Sequence, residues 1–401
     1  MDKVPSLRFK EFSGEWEEKK LEDIGKIIGG GTPSSTIEEY WNGNIQWFTP
    51  TEVGKTKYID KSVRTITELG LNKSSAKLLP KGTILLSSRA TIGEKSIALK
   101  EVCTNQGFQS ILVNENNDNE FVYYLLDTLK EELIRQSSGS TFLEISGKKL
   151  GNISSFFPIL EEQEKIANFL SSVDKKISIV EEKLNLFNQY KKGIMQKIFS
   201  QKLRFKNENG NNYPEWEERK LGEISKIYDG THQTPNYVEK GIPFFSVENI
   251  TNNNFFNTKY VTEEAYIENN KKRKIEKNDI LMTRIGSIGE SKLIDWDIKA
   301  DFYVSLALIK LDKNSYPSYI NQFINSKFFQ KELDRRTLKV AFPQKINLSD
   351  IGECLIKLPY LEEQKKIADF LSAIDNKIEN ISDNLENLKL FKKSMLQKMF
   401  V

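Results

Sequence analysis

Side chains able to do chemistry are few in this chain, and their spacing narrows what they can do. One histidine, His232, stands among 401 residues, with two cysteines, Cys103 and Cys354, that share no CxxC spacing. A zinc site of the usual Cys/His kind cannot be built from that set. A Ser-His-Asp or Cys-His catalytic unit has only His232 to serve as its base. Gly54-Lys55-Thr56 ends like a phosphate-binding loop, but Thr49 stands where the first glycine is required. The GGGT of residues 29–32 lacks the third spaced glycine of a dinucleotide site. The NPP or DPP plus aromatic signature of an amino-methyltransferase does not occur. Scattered carboxylates alone do not mark a nuclease. The chain reads as a binding protein, with no catalytic residues, cofactor or metal of its own expected.

The polar residues that remain suit contact with nucleic acid. Residues 82–88 and 278–283 read as buried strands. Each is followed by a hydroxyl, an arginine and a small-Ile-Gly turn: Ser88-Arg89-Ala90-Thr91-Ile92-Gly93 and Thr283-Arg284-Ile285-Gly286-Ser287-Ile288-Gly289. An arginine at a strand end beside a glycine turn can reach a phosphate or a guanine edge. The alternative is a buried salt bridge that fixes the loop. The candidates are Ser88, Arg89, Thr91, Arg284 and Ser287; because the motif occurs twice, phosphate contact is favoured over base reading. Lys271, Lys272, Arg273 and Lys274 form a basic run, either a backbone-binding patch or a solvated loop. Thr32, Ser34, Thr231, His232, Gln233 and Thr234 lie in polar turns at 32–35 and 231–234, dissimilar enough to read different bases.

Those turns occupy matching places because the chain repeats itself. EWEEKKLEDIGKI at 15–27 returns as EWEERKLGEISKI at 215–227, and LRFK at 7–10 returns at 203–206. Residues 157–199 align without a gap to 358–400, with 20 of 43 positions identical. The chain is therefore two copies of one unit. What the copies share should serve fold, docking or generic phosphate contact. What differs should serve a task that differs between the halves.

The shared segments must be helices. Ile166, Leu170, Val173, Ile177, Val180 and Leu184 alternate spacings of four and three, as do Ile367, Leu371, Ile374, Ile378, Ile381 and Leu385. Continued through Phe187 and Tyr190, and through Leu388 and Met395, the pattern exceeds three heptads and predicts paired coiled-coil helices rather than helices buried in ordinary cores. Pro158 and Pro359 precede the runs, with acidic residues in the first turn and lysines in the last, as the helix dipole favours. A parallel pair would force the second variable domain to bridge both ends of a helix about 60 Å long, so the pair should be antiparallel. The expected architecture is mixed α/β (α+β). Two variable globular domains, 1–156 and 200–357, alternate with two long helices, 157–199 and 358–401, in a pseudo-twofold arrangement. Residues 121–136 and 317–335 read as helices within the domains.

Composition bounds the setting. There are 59 basic against 56 acidic residues, a net charge of +3, with 29% charged and 38% hydrophobic residues. No run approaches the roughly 18 apolar residues of a membrane span, and MDKVPSLRFK has no signal-peptide core. A cytoplasmic protein, reduced at both cysteines and without a membrane partner, is expected.

Each helix is entered by a Pro-x-x-Glu-Gln-like sequence, PILEEQEKIANFL at 158–170 and PYLEEQKKIADFL at 359–371. With the alternation of variable domain and helix, the chain resembles the specificity subunit of type I restriction-modification systems over nearly its whole length. The resemblance implies a non-catalytic subunit whose two variable domains each read one half of a bipartite asymmetric site in double-stranded DNA. It implies helices that space the domains and dock two methyltransferase subunits, with restriction/translocase subunits joining them. S-adenosylmethionine, ATP and magnesium would belong to those partners. Two other readings are a fused methyltransferase-nuclease, which needs motifs not found here, and a coiled-coil scaffold that binds only protein.

Overall fold

The computed structural model describes residues 3–139, 143–270 and 273–401. The chain forms two compact units, Met1–Glu181 with Asp383–Val401, and Glu182–Ser382.

In the first unit a five-stranded sheet runs in the order Gly25–Gly29, Gln109–Val113, Ile84–Leu86, Lys95–Ala98, Tyr58–Ile59. A three-stranded sheet places Trp41–Phe48 between Arg64–Ile66 and Val102–Thr104. Glu17–Lys20 pairs antiparallel with Ser154–Phe157. Ile84–Leu86 is wholly buried, which is why its sequence is a continuous apolar run rather than an alternating one. The main core joins this sheet to Phe121, Leu125, Phe157, Ile166 and Leu170, and to Met399 and Phe400 from the end of the chain.

The second unit repeats the plan. Ser225–Asp229, Leu306–Leu311, Ile280–Thr283 and Ser291–Leu293 form a four-stranded sheet. Ile242–Phe245 lies between Lys259–Val261 and Asp301–Phe302, and Glu217–Lys220 pairs with Leu355–Leu358. Its core gathers Tyr319, Phe323, Phe329, Ile367, Leu371 and Ile374 with Met195, Ile198 and Phe199.

The two long helices run Leu160–Phe199 and Leu361–Met399 without a break. In the first unit their segments are antiparallel: Asp174 pairs with Lys392 and Glu181 with Lys389, both at 2.7 Å. In the second unit Lys191 pairs with Asp375. Ile166, Leu170, Val173, Ile177 and Val180 are buried, as are Ile367, Leu371 and Ile374; Leu184, Ile378, Ile381 and Leu385 are half-buried. The heptad face is real, but its entry residues serve a second purpose. Leu170 and Leu371 are fully enclosed in the domain cores, so they are not seam positions alone.

Two single-helix expectations are corrected. Residues 121–136 fall into Asn119–Thr128 and Lys130–Gln136, divided at Leu129. Residues 317–335 fall into Pro317–Ile324 and Lys327–Arg336. The second break has a clear cause: Ser326 is extended and its side chain accepts the Phe329 N–H, a serine N-cap starting a new helix. Among the described residues, no helix is long and apolar enough to cross a membrane.

Candidate nucleic-acid interface

The same backbone frame carries the candidate residues in both units. In the first, Gly31 N–H donates to the Thr104 carbonyl at 2.9 Å, Asn105 N–H to Phe48 at 3.0 Å and Ser88 N–H to Gly107 at 2.9 Å, while Ile145 N–H donates to Ser88 at 3.0 Å. In the second, Thr231 N–H donates to Phe302 at 3.0 Å, Tyr303 N–H to Phe245 at 2.9 Å and Arg284 N–H to Ser305 at 2.8 Å, while Ile346 N–H donates to Arg284 at 3.0 Å. These bonds equate Gly31 with Thr231, Asn105 with Tyr303, Ser88 with Arg284, and Arg89 with Ile285. A Cβ on Gly30 would lie 2.0 Å from the Asn105 carbonyl oxygen, so only glycine lets the loop of the first unit pass this close.

In the first unit Thr32 is exposed and its hydroxyl donates to Gln106 Oε1. Gln106 lines a shallow hollow with Arg89, Ala90, Asn105, Gly107 and Pro50. Ala90 turns the chain there with φ +63. Thr32, through Gln106, and Arg89 are thus brought to one surface. Ser34 is exposed with its hydroxyl 2.9 Å from Thr36 Oγ1, and Thr91 is exposed with its hydroxyl 3.1 Å from Ser87 Oγ. Ser88 is not a contact residue. It is fully buried and turned inward, because adjacent strand residues face opposite sides.

In the second unit the alternation has the opposite outcome for the arginine. Arg284 occupies the inward position, its guanidinium donating to the Val304 carbonyl at 2.9 Å and the Ile346 carbonyl at 3.2 Å, with Asp229 3.8 Å away. Burial lowers its pKa from the ordinary arginine value. The expected phosphate contact is therefore corrected to a structural clamp. Arg273 is corrected likewise: it donates to the carbonyls of Asn269 and Asp229, both at 2.9 Å, and to Thr231 Oγ1 at 2.7 Å. Burial lowers its pKa too. This clamp uses Thr231, leaving it half-buried. Of the basic run, Lys274 is exposed beside a separate hollow with Tyr266 and Lys299, while Lys271 and Lys272 lie outside the described residues.

His232, Gln233 and Thr234 are exposed, with His232 Nε2 2.7 Å from Asp229 Oδ2. Ser287 is exposed and its hydroxyl donates to Glu290 at 2.6 Å. Thr234 opens a groove lined by Tyr237, Ser246, Asn252, Asn257, Lys259 and Tyr303. Lys259 Nζ stands 4.5 Å from the Tyr237 ring centroid, and burial raises the pKa of the Tyr237 phenol. Sequence reading missed Tyr237, Tyr303 and Lys259. Only the backbone pairing reveals Tyr303 as the counterpart of Asn105. The hydroxyls, amides, phenols and cations of these surfaces can donate to and accept from base edges and neutralise phosphates. Among the described residues, no group of three or more His, Cys, Asp or Glu could hold a metal.

Comparison with known proteins finds the same tandem repeat. The family described as type I restriction modification DNA specificity domain matches twice, at residues 13–189 and 213–390. The MjaIX type I restriction enzyme specificity subunit of Methanocaldococcus jannaschii is 30% identical over an alignment covering 96% of this chain and 92% of that one. The EcoR124I/EcoR124II specificity subunit of Escherichia coli is 34% identical over 44% of this chain and 45% of that one. The crystal structure of the S subunit of a type I restriction-modification system from M. genitalium superposes with a TM-score of 0.63 at 19% identity, covering 99% of each chain. Two matches in tandem, spanning both units, place this chain in the type I restriction modification DNA specificity family.

Proposed function

We propose that this chain is the non-catalytic sequence-recognition subunit of a type I restriction-modification complex, each unit reading one half of a bipartite, asymmetric site in double-stranded DNA. One observation carries the reading: a common backbone frame presents different side chains at equivalent places that are exposed or half-buried. Asn105 stands against Tyr303, Arg89 against Ile285, and the turn after Gly31 against His232, Gln233 and Thr234. A common frame can approach DNA in one manner while the altered side chains select different bases.

The long helices serve as spacer and as the docking site for two methyltransferase subunits, which restriction/translocase subunits join. S-adenosylmethionine, ATP and magnesium act in those partners, and the complex works in the cytoplasm. Methylome sequencing of cells carrying the methyltransferase, with and without this chain, tests the reading. A split motif methylated only when the chain is present is the expected result. Methylation that does not depend on the chain, or that lacks sequence preference, overturns it.

A further inference from the structure

Beyond the buried Arg284, the second unit extends a finger that no sequence motif marks. Helix Lys327–Arg336 ends, and the following residues turn back so that Leu338 N–H donates to the Lys345 carbonyl at 2.8 Å. The base of the finger is fastened to the interface frame. Gly286 N–H donates to Gln344 at 2.8 Å, and Ile346 bonds Arg284 through its N–H at 3.0 Å and through its carbonyl at 3.2 Å. The finger is therefore held against the turn that carries Ser287.

Its tip is apolar and bare: Val340 is 100% exposed and Phe342 104%. Single exposed apolar residues are ordinary; the setting of these two is not. Residues 331–345 hold five basic residues against two acidic ones. Both acids are already engaged, Glu332 with Arg335 and Arg336, and Asp334 with Lys339. The segment still keeps a surplus of three positive charges, which an apolar protein groove would leave unmatched. A duplex matches both features, with phosphates outside and the flat apolar faces of bases within.

We propose that this finger enters a groove of the second half-site, where Phe342 wedges between two bases and opens one step while Lys345, and Lys339 on exchanging exposed Asp334 for phosphate, hold the flanking phosphates. The proposal rests on the reading of this unit as a half-site reader. The first unit has a matching bridge between Ser138 and Glu144, but residues 138–144 include no basic residue. The proposal is made for the second half-site, where the matching segment 338–345 holds two basic residues, Lys339 and Lys345. The deformation selects the sequence there partly through ease of unstacking rather than through hydrogen bonds.

The full chain with its methyltransferase, bound to duplexes carrying its mapped split site, provides the test. 2-Aminopurine is placed at each adenine of the second half-site in turn. With the wild type, fluorescence should rise at one step. With Phe342→Ala that rise should vanish and affinity for the site should fall roughly tenfold or more, while affinity for unrelated duplex stays the same. Phe342→Trp should keep the rise. Because the ring is fully exposed, unchanged melting of Phe342→Ala checks that the fold is intact. Equal signals and affinities for wild type and Phe342→Ala, or no rise at any step, overturn the wedge while leaving half-site reading in place. Loss of the methyltransferase from the Phe342→Ala complex, with DNA distortion kept, assigns the tip to a protein partner and also overturns it. A wild-type complex that does not prefer the split site over unrelated duplex removes the half-site reading itself.

Discussion

At the scale of the residue, two arginines that look alike in sequence have separate fates. Arg89 and Arg284 each follow a buried strand and a hydroxyl, yet they sit one register apart. Strand alternation then turns Arg284 inward onto two carbonyls and leaves Arg89 on the surface. Arg284→Ala should cost the second unit about 1–3 kcal/mol by stranding those carbonyls, lowering its melting temperature by several degrees. Arg89→Ala should weaken DNA binding roughly tenfold, with a shallower salt dependence. Calorimetry and binding titrations at several salt concentrations check both. The sequence showed that arginines end these strands. It did not show which face each took, because a motif with one residue more or less before the arginine reads the same to the eye. Thr32, Ser34 and residues 232–234 were legible as exposed turn residues because polar turn residues have no burial to seek. Tyr303 was not, since an aromatic beside a buried strand reads as core.

At the scale of the element, the shared motif has a physical job. Glu162 and Glu363 are buried and held by Arg8 and Arg204, the arginines of the two LRFK segments, at 2.7 and 2.8 Å. Gln163 and Gln364 accept the N–H groups of Asp118 and Tyr316, at the starts of the domain helices. The Glu-Gln pair thus staples each globular domain to its long helix. A second tie lies one helix span further on. Asp174 accepts the Tyr124 hydroxyl at 2.6 Å and pairs with Lys392; Asp375 accepts from Gln322 at 2.6 Å and pairs with Lys191. Asp375→Ala should lower the melting temperature of the second unit by a few degrees, since this partly exposed network is worth about 1 kcal/mol. Helix length and heptad face were plain in the sequence. The double use of Leu170 was not, because a heptad position also fits a domain core. Leu170→Asp should therefore unfold the first unit, at a cost of several kcal/mol. Val180→Asp, buried but outside that core, should spare the domain and weaken helix pairing and assembly with the methyltransferase. Circular dichroism melts and size-exclusion analysis of the complex separate the two outcomes.

At the scale of the whole molecule, the proposed division of labour gives the helices distance and the domains sequence. One heptad added after Val180 and another after Ile381 keep the four-three seam in phase and lengthen the pair by about 10 Å. The unspecified gap in the methylated motif should then grow by up to about three base pairs with both half-sites unchanged. The central claim is that one frame, used twice, reads two different half-sites through its differing side chains. The most direct test replaces residues 220–355 with a second copy of residues 20–152 and sequences the methylome of cells carrying that chain with its methyltransferase. The account predicts an inverted repeat, with the first half-site present twice in opposed orientation. A methylated motif identical to that of the unaltered chain would contradict it.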